Sequence, residues 1–174
     1  NVQVSASGDW LAASSEGRVW LLNYGQLPTS SGILQAEPVL KFDAFVVELI
    51  ISPDSNWIAL STDDGEIVLY NIAARSKKLI AQTGFGESIA FSSDSQLLIT
   101  VDDESVVQAW NTSSAEEASI LFDGNDDVTS LAIGSNQLSL GLTDKILVVD
   151  INSGNTISEI QSPGDYEVMT FSSD

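Results

Sequence analysis

An all-β fold assembled from repeated four-stranded antiparallel units is predicted by three observations. A turn signature recurs about every 40 residues, short apolar runs follow each copy in a fixed order, and tight-turn residues separate the runs. In the signature, Ile51-Ser52-Pro53-Asp54-Ser55 is answered by Phe91-Ser92-Ser93-Asp94-Ser95 and by Phe171-Ser172-Ser173-Asp174. Ile133-Gly134-Ser135-Asn136 is a weaker copy, and Val4-Ser5-Ala6-Ser7-Gly8 holds the same place upstream. Counted between Val4, Ile51, Phe91, Ile133 and Phe171, the intervals are 47, 40, 42 and 38 residues. A four-stranded propeller blade takes roughly 40–45.

The elements within each unit come in the same order. Residues from Ile51 to Asn71 can be laid on Phe91 to Asn111 without a gap. After the turn comes a short apolar run, Trp57-Ile58-Ala59-Leu60 or Leu97-Leu98-Ile99, and then an acidic turn, Asp63-Asp64-Gly65-Glu66 or Asp102-Asp103-Glu104-Ser105. A second run follows: Val19–Leu22, Ile67–Tyr70, Val106–Trp110 and Ile146–Val149, all rich in β-branched and aromatic residues. Runs this short are strands, and Asp-Gly and Ser-Asp pairs suit tight antiparallel connections. Because the runs are apolar without clean alternation, both sheet faces must be covered. Blades stacked face to face around an axis satisfy that demand, and this makes the predicted fold a β-propeller.

The second runs end in Leu22-Asn23, Tyr70-Asn71, Trp110-Asn111 and Val149-Asp150. In these dipeptides and in its repeat length the whole chain resembles the WD-repeat (tryptophan-aspartate repeat) β-propeller family, whose signature pair closes the third strand of each blade. No copy has both Trp and Asp, and the Gly-His before the first strand is missing. The resemblance therefore implies divergent repeats without the usual buried His-Ser-Trp-Asp network. It implies about four blades in an incomplete ring, at 1–45, 46–86, 87–127 and 128–166, with 167–174 supplying the first strand of a further blade near Val168 to Phe171. Family propellers usually have seven or eight blades, so the ring is expected to be completed by missing blades of the same protein or by another chain. Tyr24 to Pro38, with Gly25, Pro28 and Gly32, reads as an enlarged surface loop between the third and fourth strands of the first unit.

Composition removes most chemistry. The 174 residues contain no Cys and no His, so Ser-His-Asp and Cys-His pairs, sulfur-ligated zinc and imidazole bases are all excluded. No apolar stretch reaches the roughly 20 residues of a membrane span, and a soluble chain is expected, with the cytoplasm as the default compartment. Six basic against 25 acidic residues give a net charge of −19, which repels nucleic acid and anionic lipid and attracts basic proteins or peptides.

The acids concentrate where antiparallel strands put the loops of one end. The connections between units hold Asp43, Glu87, Asp123, Asp126, Asp127, Asp165 and Glu167, and the hairpin turns hold Glu16, Asp63, Asp64, Glu66, Asp102, Asp103, Glu104 and Asp144. Only Arg18 and Lys145 oppose them. Clustered carboxylates focus a negative potential that speeds capture of a basic partner. Local capping of the turn backbone explains some of them, Asp63 and Asp103 above all. Phe45 and Phe85, directly before the first strands of the second and third units, read either as apolar anchors of this rim or as packing between units. The candidate partner-binding residues are Glu16, Asp63, Asp64, Asp102, Asp103, Phe45, Phe85, Asp126 and Asp127.

Asp123-Gly124-Asn125-Asp126-Asp127 opens like a calcium loop, but the sixth and twelfth places, which want Gly and Glu, hold Val128 and Gly134. Trp10, Trp20, Trp57 and Trp110 recur at strand positions and read as core. No catalytic residue, metal or cofactor is assigned. The expected function is a protein-interaction scaffold. The alternatives are a propeller enzyme or calcium-binding propeller using carboxylates of the loop face, and a segment that only closes a ring.

Overall fold

The repeated strand-turn-strand signal folds into four antiparallel meanders. A computed structural model of the chain describes residues 1–26, 36–83, 88–124, 126–161 and 169–171. The first sheet comprises β1 (Val2–Val4), β2 (Trp10–Ser15), β3 (Arg18–Asn23) and β4 (Leu40–Lys41). The second comprises β5 (Val46–Ile51), β6 (Trp57–Thr62), β7 (Glu66–Asn71) and β8 (Ser76–Gln82). The third comprises β9 (Ile89–Phe91), β10 (Leu97–Val101), β11 (Val107–Asn111) and β12 (Glu117–Phe122). The fourth comprises β13 (Ser130–Ile133), β14 (Gln137–Gly141), β15 (Lys145–Asp150) and β16 (Thr156–Gln161). Among the described residues no helix is long and apolar enough to cross a membrane.

The chain divides into two compact units, Asn1–Gly86 and Glu87–Asp174, each holding two sheets. In the first unit, Ala12 and Val19 of the first sheet pack with Leu49, Ile58, Leu60, Val68 and Tyr70 of the second. In the second, Ile99, Val101, Val107 and Ala109 pack with Leu138, Leu140, Leu147 and Val149. Each fully buried Leu or Ile contributes roughly 1.5–3 kcal/mol. Register decides the rest. Leu60 pairs with Val68 on the face toward the first sheet, whereas Ala59 pairs with Leu69 on the opposite face, and all four are buried. The continuous apolar run in β6 is thus needed by both faces.

The Ser-Pro-Asp-Ser signature is a hydrogen-bonded turn. Ser52 Oγ accepts from the Trp57 amide (2.9 Å) and donates to Asp54 Oδ1 (2.6 Å), which also accepts from the Asn56 amide (3.0 Å). Ser92, Asp94, Gln96 and Leu97 repeat these bonds. In the first unit Ser5 Oγ accepts from the Trp10 amide (3.0 Å). In the last three sheets the Asn or Asp ending the third strand caps the next turn: Asn71 Oδ1 accepts from the Ala74 amide, Asn111 Oδ1 from Ser113 and Ser114, and Asp150 Oδ1 from Ser153. Four residues on, Arg75, Ala115 and Gly154 all take left-handed backbone, at φ 52°, 61° and 69°. Where Trp occupies the signature place, Trp110 Nε1 donates to Thr100 Oγ1 at 2.9 Å.

Three regions add detail to the expectations. The four Trp are half-buried, Trp10 packing against the core of the first unit; Trp20 Nε1 donates to the Ala36 carbonyl at 3.1 Å, because an indole keeps its N–H satisfied near a sheet margin. The enlarged loop begins as a short 3-10 helix, Tyr24–Gln26, its residues 27–35 lying outside the described ones. Met169–Phe171, expected within an opening strand, form none; 167, 168 and 172–174 lie outside the described residues. Met169–Phe171 instead line a cleft of about 290 Å3 with Ala132, Ser139, Ile146, Val148 and Ile160, and the Phe171 ring lies over Gly134.

Left-handed backbone costs an Ala roughly 1–2 kcal/mol, partly offset by the extra unfolded-state freedom of Gly. Ala115→Gly is therefore expected to stabilise the fold by about 0.5–1 kcal/mol, raising Tm by roughly 1–4 °C in a thermal melt. A lower Tm would contradict the shared turn geometry.

Hydrogen bonds hold two of these turn carboxylates below the usual range, the Ser92 hydroxyl being the largest cause for Asp94 and the Ser153 hydroxyl for Asp150. A depressed carboxyl stabilises in full above its unfolded pKa of about 3.9 and loses that contribution as pH falls through the folded value. The gap in urea midpoint between the natural chain and Asp94→Asn should accordingly be wider at pH 7 than at pH 3, and an equal gap would refute the assignment.

Candidate functional site

The meander order places the hairpin turn between the second and third strands at the same end of a sheet as the connection that follows the fourth. Glu16 and Gly17, both left-handed at φ 48° and 70°, make a two-residue turn of type I′ between β2 and β3. Gly17 is required there. A Cβ on it would collide with the Ala44 carbonyl oxygen and come within 2.6 Å of that of Phe42. The approach is held by a 2.8 Å bond from the Phe42 amide to the Gly17 carbonyl.

This contact brings the β4–β5 connection against the turn, and a cleft of about 230 Å3 opens between them, lined by Glu16, Asp43, Ala44 and Phe45. Phe45 is 62% exposed, so packing between units is not its role. Its backbone is nonetheless fixed: its amide donates to Asp63 Oδ1 at 2.7 Å, and its carbonyl accepts from the Asp63 amide at 2.9 Å. Asp63 therefore ties the β6–β7 turn to the incoming connection, which corrects its reading as a cap of its own turn. Its neighbour works within that turn, Asp64 Oδ1 accepting from Thr62 Oγ1 (2.6 Å). Beside the cleft, the Lys77 ammonium sits 4.9 Å from the Phe42 ring centroid, a cation–π contact within the chain.

The second unit gathers acids at the corresponding end of its own sheets. Asp102 Oδ1 accepts from the Glu104 (3.0 Å) and Val106 (2.8 Å) amides, so Asp102 caps this turn. Ser105 Oγ accepts from the Val128 amide at 3.1 Å, joining this turn to the connection that carries Asp126 and Asp127. Asp126 pairs with Lys145 at 3.4 Å and Glu159 lies 4.0 Å from the same ammonium. The Asp126 bond is the chief reason that the Lys145 pKa is raised. Asp126 is thus partly neutralised, while Asp127 is exposed. Among the described residues no three carboxylates converge to hold a metal ion.

The structure thus joins Glu16, Phe45 and Asp63 with Asp43, which the sequence counts among the loop acids but does not single out. Asp102 and Asp103 share one turn of the other unit, with Asp126 and Asp127 on its adjoining connection. Phe85 lies outside the described residues. Ala44 and Gly17 had one sequence signal between them, the Glu-Gly turn.

No protein-family model matches the chain, and no curated protein matches it. Among solved structures 1277 chains match, so the fold is too widely used to name an activity. One of them, a chain in the crystal structure of the Mitotic Checkpoint Complex, aligns with a TM-score of 0.70 at 15% identity. The alignment covers 91% of this chain and 48% of the other, so this chain spans about half the length of that relative. The likeness shows a β-propeller fold of four-stranded antiparallel blades.

Because Gly17 is both left-handed and crowded by two carbonyls, Gly17→Ala is expected to lower stability by about 2 kcal/mol or more, measured by urea unfolding. A change within about 0.5 kcal/mol would show that the turn and the connection do not need this approach.

Proposed function

We propose that this chain is a protein-interaction module, a divergent WD-repeat-like propeller segment that offers its acidic loop end to basic partners and has no catalysis of its own. The observation that carries this reading is the pairing of clustered loop carboxylates with an exposed aromatic residue on a fixed backbone. Carboxylates at a loop end steer a basic partner by long-range attraction. An aromatic side chain on an ordered main chain then adds contact area at reduced entropic cost. The lack of His and Cys supports the non-catalytic reading, since it leaves neither an imidazole base nor a thiolate nucleophile. The similar chain of the Mitotic Checkpoint Complex belongs to an assembly of proteins, and the same class of role is carried over here. Since the alignment covers 48% of that chain, further blades of the same protein, or another chain, would complete the ring.

Charge reversal tests the reading. Replacing Asp63, Asp64, Asp102 and Asp103 by Lys should slow association with an oligolysine peptide by about tenfold or more at low salt and flatten its dependence on ionic strength. Stopped-flow rates that keep their value and their salt dependence would rule out the acidic end as the docking surface.

A further inference from the structure

The cleft lined by Glu16, Asp43, Ala44 and Phe45 has features that diffuse acidity does not require. At about 230 Å3 it is smaller than the roughly 300–1,000 Å3 of cofactor and drug-sized sites, and suits a single side chain. Its one large apolar wall is Phe45, more than half exposed, whose main chain is held by two hydrogen bonds with Asp63. An exposed Phe on a fixed main chain offers a π face beside the carboxylates. Its polar walls are Glu16 and Asp43, both exposed and neither ion-paired among the described residues. By contrast, the acidic connection of the second unit has its own cation, Lys145 on Asp126.

From this we propose that the cleft receives one arginine side chain of a basic partner, its guanidinium stacked on Phe45 and paired with Glu16 and Asp43. The proposal rests on the reading of the loop end as a surface for basic proteins, and it adds a specific pocket to that surface. Charge selects the occupant: two carboxylates beside an aromatic ring reject an anion and leave a neutral aliphatic side chain with nothing to pair. Shape then separates arginine from lysine. The guanidinium is planar and weakly hydrated, stacks on a ring and serves two carboxylates at once, whereas an ammonium is a compact, strongly hydrated point charge. The adjacent Lys77–Phe42 contact shows a ring of the same segment already taking a cation.

The test is an NMR titration of the full chain with N-acetyl-arginine amide, with N-acetyl-lysine amide and N-acetyl-citrulline amide as controls. Shifts are expected to centre on the amides of Gly17, Ala44 and Phe45, with arginine binding more tightly than lysine and citrulline not binding. Phe45→Leu, which keeps an apolar side chain but removes the ring, should weaken arginine binding by about 2- to 30-fold, and Phe45→Tyr should retain it. Asp43→Asn with Glu16→Gln should abolish it. Because all three positions are exposed, none of these variants is expected to impair folding.

Each variant is also titrated with oligolysine to separate the two ideas. Arginine shifts spread over every acidic turn and indifferent to Phe45→Leu, with oligolysine still bound, would overturn the pocket and leave the acidic surface standing. Arginine shifts confined to the cleft without oligolysine binding would uphold the pocket and reject the broader surface. No arginine shift at tens of millimolar would overturn the pocket outright.

Discussion

Burial of both faces of the inner strands is the constraint on which the rest of the structure depends. A strand sends alternate side chains to opposite faces, so Leu60 and Ala59 of β6 need separate cores, and both are completely buried. An isolated sheet with one wet face would leave one of those sets in water. Within each unit one face of each sheet packs on its neighbour in a shared cluster, and the Ala59–Leu69 face of the second sheet is buried as well. The hydrogen-bonded register follows from it, because a slip of one residue would exchange the two sets.

Once register is fixed, the turns have little freedom. Ser52 and Ser92 occupy the same place in successive sheets and bond the same way, and Asn71, Asn111 and Asp150, which close the third strands of the last three sheets, cap the turns that follow. The Asn and Asp of the signature dipeptide thus keep a local role in shaping turns even where the residue before them is Tyr or Val instead of Trp. The loop end is then a by-product of strand direction. Whatever the hairpin turns and connections carry is displayed there, and in this chain they carry carboxylates.

How far the site was legible follows from the same logic. Turn acids could be read from sequence because Asp-Gly and Ser-Asp signals fall between apolar runs and antiparallel strands assign them to one end. The cleft could not be read, since Glu16, Asp43, Phe45 and Asp63 come from three separate segments. Their adjacency depends on a glycine that lets two backbones approach and on a carboxylate that bonds an amide 18 residues away. Asp63 looked like a local cap because the turn residue types are the same whether a carboxylate serves its own turn or a neighbouring one. The half-burial of the tryptophans was hidden too, because strand periodicity gives the face of a residue and not its distance from the sheet margin.

Sequence by itself determined the repeat, the strand order, the turn chemistry and the excess of negative charge, because each is written in residues close together along the chain. It also determined that these 174 residues supply neither imidazole nor thiol. Tertiary structure alone decided which carboxylates share a cleft with an exposed ring, which one is met by Lys145, and that Met169–Phe171 line a cleft against the fourth sheet rather than pairing as a strand. Those outcomes depend on distances across the fold, which are set by packing and backbone approach between segments far apart in sequence.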